Sequence, residues 1–159
     1  MIVFRILCAV LVAWAVNWAL SRPEAVPLLQ EVPELGSLSW LAGLMVGYFN
    51  LAIRQGWGFI VAFANGVWAG VLSIFLAGTL YMGLVVVIGV RANEIRSFDT
   101  FLSVFGETVQ PLLDQLVNIP LLIVSLGATA LVGVITEVLH WVLVRFRQTN
   151  PRTRTEARY

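Results

Sequence analysis

The chain has little charge and few side chains that carry chemistry. Charged residues make up 12% of its 159 residues, against roughly 25% in an ordinary soluble domain. Lysine is absent, so all the basic residues are arginines, while hydrophobic residues make up 59% of the chain. This composition excludes a soluble globular domain, and it also excludes disorder, which needs low hydrophobicity and high charge.

The single cysteine and single histidine restrict the chemistry further. Cys8 cannot form an internal disulfide or a thiolate metal cluster. We expect it to be buried and inert, because a reactive thiol needs an electropositive and accessible setting. A Gly-rich phosphate loop needs a lysine that is absent here, and no Ser/His/Asp arrangement is recognisable. The sequence therefore predicts a non-enzymatic protein without catalytic, cofactor-binding or metal-binding residues.

Long apolar runs predict an all-α polytopic membrane protein. Residues 55–90 contain no charged side chain, and about 20 apolar residues suffice to cross a bilayer core as a helix. We predict one membrane domain, residues 1–159, whose four transmembrane helices cover about 2–20, 38–53, 58–85 and 120–144. The first run resembles a signal peptide with an Ala-x-Ala site, but it is long enough to span, so we favour an uncleaved helix.

The third apolar run is too long for a simple span. Residues 58–90 would form a helix of about 50 Å, against a hydrocarbon core of roughly 30 Å. We expect this helix either to tilt and project beyond the bilayer or to break near Gly78, Gly83 or Gly89.

Residues 91–118 predict an interfacial amphipathic helix, or a pair of helices, between the third and fourth spans. Its apolar residues recur every three or four positions, on one helical face: Phe98, Phe101, Leu102, Phe105, Val109, Leu112, Leu113 and Leu116. We expect a bend at Pro111. The polar face is acidic, so a partner surface or the protein's own spans fits it better than anionic lipid.

The distribution of arginines predicts that both termini are cytoplasmic. This topology places seven arginines inside, namely Arg5, Arg54, Arg145, Arg147, Arg152, Arg154 and Arg158, and three outside, namely Arg22, Arg91 and Arg96. The excess follows the positive-inside rule. The connector and the acidic, proline-rich loop at residues 21–36 are then periplasmic. Orientation and anionic lipid explain the Arg-rich tail, residues 145–159, better than nucleic acid does.

Small residues four apart mark two predicted packing stripes, Gly43 with Gly47 and Gly66 with Gly70. Such stripes let helix backbones approach closely in lipid. Packing inside the subunit is favoured over a dimer interface. Asn65 lies beside the second stripe, and we expect it to hydrogen-bond across to another helix rather than to bind substrate.

Glu137 is the costliest residue of the predicted spans, at about 3 kcal/mol near a helix centre and less toward an end. We predict a buried ion pair with Arg5 or Arg54, which share its depth. Glu137 and His140 also form one Glu-x-x-His motif, but a di-iron site needs two copies and further carboxylates. A role for His140 as a haem or pigment ligand stays open beside the favoured one, an interfacial histidine next to Trp141.

Short motifs lie along most of residues 40–147. They are Leu44-Met45-Val46-Gly47-Tyr48, residues 58–66 ending in Asn65-Gly66, Ala92-Asn93-Glu94, and Glu137 followed by Trp141 and Arg145. In these motifs the chain resembles the TrgA family, small bacterial membrane proteins linked to tellurite resistance. The connector departs from the family, with Ser97-Phe98-Asp99-Thr100 in place of a Tyr-Asp-Gly-Pro-like stretch. The resemblance implies four spans and a link to tellurite resistance, without a mechanism or an active site.

Two functions from different classes remain open at this point. The favoured one is an accessory subunit, without cofactors, that packs against other subunits of a larger photosynthetic or respiratory complex in the bacterial inner membrane. The other is a small transporter or permeation factor for an oxyanion such as tellurite. Transport usually shows broken spans or charged groups near the midplane, and this chain offers mainly Asn65 and Glu137.

Overall fold

The structure is a computed structural model that describes residues 2–25, 30, 32–92, 95–116 and 119–149. All regular structure in these ranges is helical. It consists of α1 (Ile2–Leu20), α2 (Leu35–Phe49), α3 (Phe59–Arg91), α4 (Phe98–Leu116) and α5 (Ile119–Thr149), with short 3-10 turns at Pro23–Ala25 and Leu51–Ile53. Four helices, namely α1, α2 with the turn after it, α3 and α5, are long and apolar enough to cross a membrane. The predicted all-α class with four such helices is confirmed.

The four long helices form a closed bundle. α1 packs against α2 and α5, and α3 packs against the same two helices on the opposite side. α4 lies outside this bundle, where it contacts α3 and α5. The last helix in sequence is therefore a neighbour of the first, and this brings residues near the start of α1 close to the end of α5.

Small residues hold the bundle together. A Cβ atom added to Gly43 would lie 2.6 Å from Ala13 Cα, and one added to Gly47 would lie 2.6 Å from Ala9 Cα, so α2 touches the backbone of α1. Gly66 of α3 likewise faces the backbone of α5 at Thr129 and Ala130, whereas Gly70 faces the Thr129 side chain. Both predicted stripes are thus used for packing inside the subunit.

Of the two alternatives for the third apolar run, the break is not found. α3 continues from Phe59 to Arg91, past Gly78, Gly83 and Gly89, and it ends beyond the predicted limit near residue 85. Gly78 and Gly83 have open space around them. Nothing there competes with the helical hydrogen bonds, and breaking them in lipid would leave polar backbone groups unsatisfied. At 33 residues the helix is about 50 Å long.

α4 is a single helix that runs through Pro111. Phe98, Phe101 and Phe105 follow one another along it, with ring centroids 6.2 Å and 5.8 Å apart. Phe98, Leu102 and Phe105 are exposed. Part of the predicted loop at residues 21–36, and the tail after Thr149, lie outside the described residues.

Candidate functional site

Glu137 is the most unusual residue of the bundle interior. It lies on α5 with no exposed surface, and Leu51 and Glu137 are the two largest fully buried side chains among the described residues. A buried carboxyl group is stable only when it is paired or hydrogen-bonded. The hydrogen-bond partners of Glu137 therefore show how this end of the bundle is stabilised.

The carboxyl of Glu137 accepts hydrogen bonds from the turn between α2 and α3. The Gly56 N–H donates to Oε2 at 2.7 Å, and the Gly58 N–H donates to Oε1 at 3.0 Å. The indole N–H of Trp141, one helical turn further along α5, donates to Oε1 at 3.3 Å. All three donors are N–H groups, which suits an acceptor-only carboxylate. Glu137 thereby ties α5 to a turn some eighty residues earlier in the chain.

The two glycines make this arrangement possible. Gly56 has a φ of +94° and Gly58 a φ of +98°, values that side-chain-bearing residues rarely adopt. Glycine takes such conformations without steric cost, and here they aim two backbone N–H groups of one short turn at the same carboxyl. The residues before α3 are thus a receptor for Glu137 as well as a connection. We call Gly56, Gly58, Glu137 and Trp141 the inner clasp.

The predicted ion pair of Glu137 with Arg5 or Arg54 is not formed among the described residues, where the carboxyl has the donors given above. The Arg5 guanidinium carbon lies 5.8 Å from the centre of the Tyr48 ring. Arg54 contributes its backbone carbonyl, which accepts a hydrogen bond from Asn65 Nδ2 at 3.3 Å. The physical reason is that backbone N–H groups satisfy a buried carboxyl without the desolvation of a second charge.

Asn65 supports the same turn rather than another helix. It was expected to hydrogen-bond across the bundle, whereas its amide reaches back to the residue that precedes the clasp. The partner is the Arg54 carbonyl at the start of the turn, not a group on α1, α2 or α5. Glu137 and Asn65 therefore hold the two ends of the residue 54–58 turn.

His140 lies beside the inner clasp, next to Trp141. The His140 ring packs edge-on against Phe4 of α1, with centroids 5.7 Å apart. Its Nε2 points toward Gly56, where an added Cβ would come within 3.1 Å. Trp141 is 61% exposed although its N–H is engaged by Glu137. The described residues contain no group of three or more His, Cys, Asp or Glu side chains placed to hold a metal ion.

An open pocket of about 500 Å³ adjoins the inner clasp. Its lining residues are Gly56, His140, Trp141, Val144 and Arg145. At the opposite end of the bundle, a cavity of about 50 Å³ lies between residues such as Leu35, Ala77 and Leu121 and is almost wholly apolar. The open pocket thus joins a cationic group, an imidazole and an exposed indole.

Buried hydroxyls in the spans bond to their own helices. Each donates to a carbonyl three or four residues earlier in the chain: Ser39, Ser73, Ser125, Thr129 and Thr136. Such bonds satisfy the hydroxyl locally. They do not link one helix to the next, and so they do not form a polar path through the bundle.

The residue types at Arg54, Gln55, Gly56 and Trp57 predict a tight turn, but the role of Gly56 and Gly58 was not predicted from the sequence. A Gly-x-Gly sequence in a tight turn signals positive φ values. Only the tertiary fold, however, brings Glu137 to face it.

Comparison of this chain with known protein families, with curated proteins and with solved structures finds no match. The function is therefore inferred from the inner clasp, the open pocket and the exposed surfaces of the protein.

Proposed function

We propose that this protein is a non-catalytic accessory subunit of a larger complex in the bacterial inner membrane, with both termini cytoplasmic. The observation that carries the proposal is the exposed aromatic face of α4, outside the four-helix bundle. Phe98 is 72% exposed, and Leu102 and Phe105 are also exposed.

The glycine stripes do not supply the proposed contact, because their surfaces are occupied by neighbouring helices. The contact must then involve an outward surface. α3 leads to such a surface, since it is about 50 Å long and a 40° tilt, the upper end of the usual range, would still leave it spanning about 38 Å. This exceeds the roughly 30 Å core, so α3 carries α4 to the membrane boundary or beyond it.

The acidic character of α4 supports a protein partner. Asp99 and Glu107 are exposed on the same helix as the phenylalanines. Acidic side chains repel the headgroups of anionic lipids, so such lipids gain little from this helix. An apolar partner surface, flanked by basic side chains, would match both faces of α4.

A transporter of an oxyanion such as tellurite has less support. The buried hydroxyls of the spans are satisfied within their own helices. The carboxyl of Glu137, the fully buried one among the described residues, is held near the end of α5 by N–H donors. Transport sites usually combine broken spans with polar groups near the midplane, whereas α3 is unbroken.

Site-specific photo-crosslinking in native membranes tests the proposal. A photoreactive phenylalanine analogue at Phe98 is compared with one at Phe75, which lies on α3 and is 73% exposed against 72% for Phe98. We expect a discrete protein adduct from position 98 that disappears in a Leu102→Asp background, and only lipid adducts from position 75. Lipid adducts alone at both positions, together with purification as a lone monomer or homodimer in mild detergent, would contradict an accessory subunit.

A further inference from the structure

The open pocket beside the inner clasp joins a charged side chain to exposed apolar surface at one end of the bundle. Its residues on α5 form two adjacent pairs, His140 with Val144 and Trp141 with Arg145. Members of a pair are four residues apart, so each lies directly above the other on the helix surface. The result is a continuous patch, with its more apolar members interleaved with the imidazole and the guanidinium.

We propose that this pocket binds the phosphate headgroup of an anionic phospholipid from the cytoplasmic leaflet. The inference goes beyond the accessory function, because it concerns the opposite end of the molecule and depends on different residues. Arg145 supplies a charged fork that suits a phosphate oxygen pair, and His140 supplies a second polar edge.

The depth of the side chains favours a lipid over a soluble phosphate. Indole rings of membrane proteins lie at the level of the headgroups, and Trp141 is largely exposed although its N–H is fixed by Glu137. Arg145 follows one helical turn, or about 6 Å, further from the bilayer centre. An acyl chain could therefore lie along Trp141 and Val144 while the phosphate reaches Arg145.

Gly56 keeps the pocket open. A side chain there would approach His140 Nε2 to 3.1 Å and fill the gap between the turn and the imidazole. The carboxyl of Glu137 does not oppose an anion in the pocket. It is fully buried, accepts three N–H bonds and does not line the pocket.

Native mass spectrometry of the purified full chain tests the proposal. The probes are phosphatidylglycerol and phosphatidylcholine with identical acyl chains, and the variants are Arg145→Gln and, as a matched control at the other end of the bundle, Arg91→Gln. We expect the unchanged protein to retain phosphatidylglycerol preferentially. Arg145→Gln should weaken this retention about tenfold, the effect of losing one charge-assisted hydrogen bond, and Arg91→Gln should leave it unchanged.

A second variant, Val144→Trp, fills the pocket from an exposed position and keeps every charge. It should abolish the preference for phosphatidylglycerol without changing the melting temperature measured without added lipid. Equal losses in Arg145→Gln and Arg91→Gln, equal retention of the two lipids, or an unchanged preference in Val144→Trp would each overturn the proposal. Binding of glycerol 3-phosphate as tight as that of phosphatidylglycerol would overturn it too, by assigning the pocket to a soluble anion.

Discussion

Glu137 shows how one residue can satisfy a burial cost without a counter-ion. A charged side chain near the centre of a span costs about 3 kcal/mol, and here three N–H groups surround the carboxyl. An arginine partner would have brought a second desolvation cost. The inner clasp therefore depends on the chemistry of one carboxyl and on the conformations of two glycines.

The change Glu137→Gln should lower the free energy of unfolding by about 1–3 kcal/mol. The amide replaces one acceptor oxygen by an NH₂ group, which leaves the N–H of Gly56 or Gly58 facing a donor. Denaturation of the purified protein in mixed micelles measures the change. The control is Glu107→Gln on exposed α4, for which we expect a change within about 0.5 kcal/mol. Equal stability of the two variants would show that the inner clasp contributes nothing to stability.

Gly58→Ala should destabilise the protein by about 1–3 kcal/mol through backbone strain alone. A Cβ atom at this position would meet nothing within 4 Å, but φ is +98°. Gly83→Ala is the matched control, since Gly83 also has open space and lies in regular helix. It should be neutral or slightly stabilising. Thermal unfolding of both variants separates strain from crowding, and a neutral Gly58→Ala would disprove the need for glycine in this turn.

Helix pairs in this bundle are held at backbone contact by glycine and alanine. The contact between α1 and α2 is an example, because Gly47 leaves room for Ala9 and for the Cys8 carbonyl. Lipid tails are as apolar as leucine side chains, so burying leucine between helices in a bilayer provides little net attraction. Close packing of small residues is then the main source of helix association. Glycines on outward faces have no such role.

Gly47→Ala should destabilise the α1–α2 pair by about 1–3 kcal/mol. The added Cβ would lie 2.6 Å from Ala9 Cα, and the two backbones would have to separate. Gly127→Ala is the control, since nothing lies within 4 Å of a Cβ at that position on α5. Unfolding in mixed micelles should show a loss for Gly47→Ala and none for Gly127→Ala. The same loss in both would point to a general effect of glycine on the helices.

At the scale of the whole molecule, the inner clasp and the open pocket lie together at the end of the bundle near Arg145. In the proposed topology an even number of spans returns the chain to the side where it started, so the residue 54–58 turn is cytoplasmic like both termini. The same topology makes the connector of residues 91–118 periplasmic.

Accessibility to an impermeant maleimide in intact cells tests this orientation. Trp57→Cys places a thiol on the inner turn at a site that is 76% exposed, and Ser97→Cys places one on the exposed connector. We expect Ser97→Cys to react before lysis and Trp57→Cys only after lysis. Cys8 is fully buried, so the unchanged protein provides the unreactive control. The opposite pattern would invert the predicted topology.

The all-α class, the number of long apolar helices and the use of small-residue stripes in packing all follow from the order of residues along the chain. Hydrophobic length and composition are local properties, and no knowledge of neighbours is needed to read them. The same information predicted that Glu137 needs a partner, because the cost of a buried charge does not depend on the fold.

The identity of the groups that pair with Glu137 depends on the tertiary structure. Gly56 and Gly58 lie far from Glu137 in sequence, and their donors point at its carboxyl because α5 passes the turn before α3 at that height. A sequence pattern identifies side chains that can pair, such as Arg5 and Arg54, but it does not show which backbone N–H groups are left free by a turn. The continuity of α3 was also decided by the tertiary structure, in which a Cβ atom added to Gly78 or Gly83 would meet nothing within 4 Å.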